Sequence, residues 1–181
     1  EIISFRAPAL RVNTNTPKAL AETGFKIDSS VASQRFDLFM SYGGLKKLKW
    51  LIAPRLPYKT DQNNLLKKGT GNIIEVPVSA LFVPFTSTTM RIFPKLTSIQ
   101  KHFINIESSI NNKPVVFDIH PNEFIDESEN VRKITRRTEN YFGYVLKDLI
   151  RGKLKVKNLG TNCIPLYKEL IKYFKNHNYK A

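Results

Sequence analysis

The chain reads as an α/β protein built on a parallel sheet that includes residues 2–6, 73–80 and 114–120. Three observations predict this. A strand, a helix and a second strand follow one another over the first 28 residues, the order from which β/α barrels and doubly wound sheets are made. Val115-Val116-Phe117 is a continuous apolar run, as expected of a strand covered on both faces. Two strand-like runs also stop abruptly at ionisable residues beside proline: Phe5 leads into Arg6-Ala7-Pro8, and Phe117 into Asp118-Ile119-His120-Pro121. Sites of β/α folds lie at the carboxyl ends of strands, which makes Arg6 and His120 candidate catalytic residues.

Each element has its own local reason. Thr16-Pro17 opens a helix, with Thr16 as N-cap and Pro17 in the first turn, and Gly24 ends it. Phe25 to Asp28 is the next strand. Residues 32–72 hold Gly43-Gly44, Pro54, Pro57, Gly69 and Gly71 and show no sustained period, so an excursion is expected, with a short helix at 44–51. Its aromatics Phe36, Phe39, Tyr42, Trp50 and Tyr58 either line a sugar groove or seal one end of the barrel. Ile73 to Leu81 is a strand in which Pro77 marks an edge or a bulge. From Thr97 to Asn111, Ile99, Phe103, Ile106 and Ile110 recur at helical spacing and are expected to face the core. A long helix is predicted from Ser128 to about Arg151, with Thr138, Phe142, Val145 and Leu149 on one face. The last helix, 165–176, packs through Leu166, Leu170 and Phe174.

Composition narrows the function classes. The chain has 181 residues, of which 41% are hydrophobic, enough for a single domain with a core over 1–181. No apolar run approaches the roughly 18 residues of a membrane span. The formal charge of +14 raises an acidic glycan or nucleic acid as partner. The lysines are spread along the chain, however, and no helix-turn-helix, zinc-finger or RNP pattern accompanies them, so no specific nucleic acid is expected. One cysteine, Cys163, leaves no internal disulfide and no cysteine-based zinc site, and reads as a small buried hydrophobe. No serine nucleophile elbow, phosphate loop or dinucleotide fingerprint is present, and Gly69-Thr70-Gly71 is too short to be one.

The order of four segments resembles the polysaccharide deacetylase family, the NodB-like carbohydrate esterases. The segments are Phe5-Arg6-Ala7-Pro8, Gly24-Phe25-Lys26-Ile27-Asp28-Ser29-Ser30-Val31, Ile73-Ile74-Glu75-Val76-Pro77-Val78-Ser79 and Asp118-Ile119-His120-Pro121. The resemblance implies a distorted NodB-type β/α barrel, incomplete at its N-terminal strands, and removal of acetyl groups from N-acetylated carbohydrate. It implies His120 as general acid, Arg6 as the holder of a carboxylate, and Asp28 as the partner of the histidine. Pro8, Glu123, Trp50 and Tyr58 would border the substrate. The family's Thr-Phe-Asp-Asp and His-X-X-X-His motifs are absent. The expectation is therefore a C-terminal part, inactive alone, whose divalent metal, zinc by the resemblance, binds with a missing N-terminal segment of the same chain and not to this fragment. Alternatives are an allantoinase-like hydrolase of a cyclic amide and a non-catalytic basic module for an acidic glycan or nucleic acid.

Overall fold

The computed structural model describes residues 1–35, 49–125 and 139–180. It is a mixed α/β structure with a five-stranded open sheet, a separate two-stranded ribbon and several helices. Strand β1 (Ser4–Phe5) pairs in parallel with β2 (Ile27–Asp28), and β2 in parallel with β5 (Ile74–Glu75). An antiparallel hairpin, β3 (Tyr58–Asp61) and β4 (Asn64–Lys68), then adds to β5, giving the order β1-β2-β5-β3-β4. The hairpin comes from the segment expected to be irregular. Gly69 and Gly71 follow it because the chain there crosses β3 closely: a Cβ on Gly69 would sit 2.6 Å from Asp61 Cα, and one on Gly71 2.7 Å from the Thr60 carbonyl oxygen.

Helix α1 (Thr16–Glu22) joins β1 to β2. Its first turn is held by the Asn13 side chain, whose Oδ1 accepts from the amides of Asn15 and Thr16, so Thr16 is the first helical residue and not the cap. Gly24, at φ 86°, turns the chain out of the helix in the left-handed region. Leu20 on α1 packs with Val31, Trp50, Leu65, Ile73 and Val78 in one core. Fully burying a side chain of this size contributes roughly 1.5–3 kcal/mol.

The strand predicted at 73–80 is broken, with regular pairing limited to Ile74–Glu75. Pro77 has no amide hydrogen to donate, and pairing resumes only as a single parallel bridge between Ala32 and Val78. The segment 114–120 is extended but is not a strand of the five-stranded sheet, which corrects the expectation. Ser79 N–H donates to the Val116 carbonyl at 3.0 Å, but the returning bond from Val116 N–H goes to Ser79 Oγ, also at 3.0 Å. A side-chain oxygen therefore stands where a backbone ladder would have a carbonyl, and the ladder stops. Further on, a parallel bridge links Thr86 to Asp118.

Strands β6 (Ala80–Leu81) and β7 (Val83–Pro84) form the small ribbon, with Phe82 at its tip at φ 63°. Helices α2 (Ser87–Ile92) and α3 (Pro94–Asn111) follow. The Thr86 side chain caps α2 by accepting from Thr89 N–H. After residue 138 come α4 (Tyr141–Gly143), a π-helical stretch (Tyr144–Ile150), α5 (Arg151–Val156) and α6 (Cys163–Asn176). A second core gathers Phe85, Met90, Ile104, Cys163 and Leu170, with Phe117, Leu166 and Phe174 against it, so the last helix packs through the residues expected.

Two predicted faces differ. Ile99, Phe103, Ile106 and Ile110 are 53–74% exposed, and α3 buries Gln100, Lys101, Ile104 and Ser108 instead. Phe142, expected on a packed face, is 74% exposed. The predicted helix at 44–51, Phe36, Phe39, Tyr42 and Thr138 fall wholly or largely outside the described residues. Among the described residues, no helix is long and apolar enough to cross a membrane.

Candidate active-site cleft

Three parallel strands end side by side, and Arg6 ties their carboxyl ends together. Its Nε donates to the Ser29 carbonyl at 2.9 Å and its Nη2 to Ser29 Oγ at 2.8 Å. Ser29 Oγ in turn donates to the Val76 carbonyl at 2.8 Å. The residue after β1 thus grips the residue after β2, which grips the residue after β5. The remaining guanidinium nitrogen, Nη1, meets Asp118 Oδ1 at 2.9 Å, across 112 residues of sequence. A guanidinium used on all three nitrogens has little freedom left, so Asp118 is held against one wall by a rigid fork.

Above this junction lies a cleft of about 600 Å³ lined by Arg6, Pro8, Arg35, Thr88, Asp118 and His120, among others. Its size is that of a small-molecule site. The loop beneath it is strained: Ala9 (φ 54°) and Leu10 (φ 53°) both adopt the left-handed conformation, at a cost of order 1–3 kcal/mol each. Across from it, residues 118–120 are extended. Asp118, Ile119 and His120 all line the cleft there. His120 is exposed, and its ring has no hydrogen-bond partner among the described residues.

Of the residues singled out by sequence, Arg6, Pro8 and His120 come together here. Asp28 does not. It is 0% exposed, and its carboxylate accepts from Ser30 Oγ at 2.7 Å and from Ser30 N–H at 3.2 Å, not from His120. Glu123 is also turned away from the cleft. It is buried beneath α2 and paired with Arg91 at 3.0 Å, because the short 3-10 turn Pro121–Phe124 points it inward. Trp50 and Tyr58 belong to the interior. Trp50 packs in the first core, with the Arg35 guanidinium 5.9 Å from its ring, and the buried Tyr58 hydroxyl donates to the Leu65 carbonyl. The residue that sequence reasoning passed over is Asp118. In the sequence reading it is only the first residue of the Asp118-Ile119-His120-Pro121 segment and has no role; its signal is its place two residues before His120.

Behind the cleft floor sits a second group of acids. Asp28 and Glu75 are direct neighbours across β2 and β5, and Tyr58 neighbours Glu75 on β3. Burial, then the hydrogen bond to Asp28 and its charge, push the Glu75 carboxyl up to about 10; the Val31 amide and the Arg6 guanidinium pull the other way. Burial, with Glu75 and Asp28 nearby, likewise raises the Tyr58 hydroxyl above its usual range. Glu75 is thus a neutral acid at pH 7.

Among the described residues, no three His, Cys, Asp or Glu side chains are grouped to hold a metal ion. The cleft's own donors, Asp118 and His120, do not fit the three protein ligands that a catalytic zinc takes. The chain matches no protein-family model, no curated protein and no solved structure with which it was compared.

Proposed function

We propose that the cleft is the acid-base side of a hydrolase site that removes acetyl groups from N-acetylated carbohydrate, on an incomplete NodB-type β/α barrel. One observation carries the reading: Arg6, at the carboxyl end of the parallel strand β1, and Asp118 and His120, far along the chain, line one cleft. Breaking an amide C–N bond requires a proton on the departing nitrogen, because an amide anion is a poor leaving group. An imidazole suits this role, since its ordinary pKa near ~6.5 lets it give and regain a proton around neutral pH. His120 stands open to the cleft, as a donor that must reach its leaving group does. Asp118, clamped by Arg6, places a carboxylate on the same wall.

Two measurements test the reading. N-acetylglucosamine tetramer titrated into the isotope-labelled chain is expected to move the amide signals of Arg6, Ala7, Thr88 and His120. Signals that move only elsewhere, or not at all, remove the cleft as its site. In a longer chain carrying the family's metal motifs, His120→Gln is expected to lower turnover by about 10²–10⁴ with metal content unchanged. Full turnover in that variant would end the role of His120.

A further inference from the structure

We propose that Glu75 keeps a proton directed at Asp28 and that the pair thereby holds the cleft floor in place, Asp28 acting through Ser30 as a positioning residue. The regulatory consequence rests on reading the cleft as the active site; the structural claim does not.

The chain of contacts is continuous. Ala7, which lines the cleft, donates its amide hydrogen to Ser30 Oγ at 2.8 Å. Ser30 Oγ donates onward to Asp28 Oδ1 at 2.7 Å, so its single hydroxyl both accepts from the floor and anchors to the acid. Ser30 N–H adds a bond to Asp28 Oδ2 at 3.2 Å. Glu75 Oε1 accepts from Val31 N–H at 2.9 Å. Its other oxygen, Oε2, is buried with no donor directed at it. Carrying a proton, Glu75 becomes a donor itself, and Asp28, its register partner on β2, is the acceptor. Asp28, Ser30 and Glu75 are all 0% exposed, so water does not replace these bonds. Two ionised carboxylates here would face each other without solvent, which is why one proton must stay.

The groups facing Glu75 from the surrounding elements are Asp28 on β2, Tyr58 on β3 and Arg6 after β1. Tyr58 keeps its proton above the range in which Glu75 loses its own, so it does not share the titration. The sign follows from the direction of the Glu75 shift. In the folded chain the proton is held up to about 10, whereas the unfolded carboxyl releases it near its ordinary 4.5. The stabilisation is therefore complete below about 4.5 and is lost as pH rises towards about 10, by at most tenfold in the folded-to-unfolded ratio per pH unit. Loss of the proton would release the anchor of Ser30 and, with it, Ala7 and the neighbouring Arg6 loop. The cleft would then loosen at alkaline pH before the rest of the chain unfolds.

Amide hydrogen exchange on this chain across pH 5–10, corrected for intrinsic base-catalysed exchange, tests this without substrate. In the wild type, protection of Ala7 and Val31 is expected to fall with rising pH more steeply than that of Ile104 in the other core. Glu75→Gln, which keeps a neutral donor that cannot ionise, is expected to abolish this excess fall and leave protection at pH 6 intact. Ser30→Ala is expected to lower Ala7 protection roughly tenfold while sparing Val31. Asp28→Asn should lower Ala7 protection roughly 10- to 100-fold already at pH 6, since its amide cannot accept on both sides. If Asp28→Asn does not fold, the other two variants decide. The proposal is overturned if Glu75→Gln keeps the excess fall, or if Ser30→Ala leaves Ala7 as protected as in the wild type. These readouts are independent of the glycan titration, so failure of that titration leaves them standing.

Discussion

Arg91→Met is expected to lower the unfolding free energy by about 3–5 kcal/mol, because it leaves the carboxylate of Glu123 buried without its counter-ion. Arg91 is 4% exposed and Glu123 6%. The guanidinium meets Glu123 Oε1 at 3.0 Å through Nη2 and the Lys157 carbonyl at 2.7 Å through Nη1. Thr88 Oγ1 donates to the same carboxylate oxygen at 3.2 Å. The cluster pins α2 to the turn after His120 and to the segment leading into α6. Asn158 Nδ2 and Lys157 Nζ add to it by donating to the carbonyls of Arg91 and Ile92. Natural domains are stable by only about 5–15 kcal/mol, so a loss of this size is a large share of the total. Urea unfolding of the single variant and of Arg91→Met/Glu123→Leu separates two contributions. The double variant is expected to regain most of the loss, because two apolar side chains of similar volume leave no buried charge. A single variant as stable as the wild type would mean that Glu123 reaches solvent or another cation.

Phe85→Ala is expected to cost about 3–5 kcal/mol, the range for emptying a buried aromatic site. Phe85 is 0% exposed, and its ring lies 5.0 Å from that of Phe117 and 6.2 Å from that of Phe174, in both cases edge-on. Its main chain is committed as well: Phe85 N–H donates to the Ser79 carbonyl at 2.7 Å, and its own carbonyl accepts from Asp118 N–H at 3.3 Å. The second core and the cleft wall therefore share this residue. Thermal unfolding should show the loss, with Phe85→Leu falling between the variant and the wild type. On the proposed reading of the cleft, binding of the glycan tetramer should weaken in parallel, since Asp118 loses a fixed neighbour. A small, purely local effect would show that α6 closes over the cavity.

The first third of the fold was legible because its signals are local. Pro17 and Gly24 bracket α1, and the apolar runs on either side of it are β1 and β2. Arg6 and His120 were legible for the same reason, as charges at the ends of apolar runs. What was not legible depends on partners. Helix α3 shows an apolar stripe at ideal spacing, yet it turns that stripe outward, because its polar side chains have specific partners on the packed side. Gln100 Nε2 donates to the carbonyls of Leu81 and Val83, both at 2.9 Å, and Lys101 Nζ bonds Glu169 at 2.6 Å. Ser108 Oγ caps the Lys113 carbonyl at 2.6 Å. Periodicity counts apolar residues and is blind to such pairings. The hairpin β3–β4 was hidden by its polarity: Thr60, fully buried, and the charged Lys59 and Asp61 dilute the alternation that marks a strand. Asp28 ends its strand but bonds Ser30 and not His120, and its neighbour across the sheet, Glu75, lies far along the chain, so register is not written in either segment alone.

The hydroxyl of Ser79 has a bearing on how this protein can diverge. It is the acceptor for Val116 N–H, inside a site that is 2% exposed. The seam between the sheet and the cleft wall thus uses an oxygen one bond beyond Cβ. Only serine and threonine supply that atom at that reach. Across descendants that keep this join, position 79 is expected to drift between those two residues alone. The exposed positions 99, 103, 106 and 110 carry no such constraint from the described contacts.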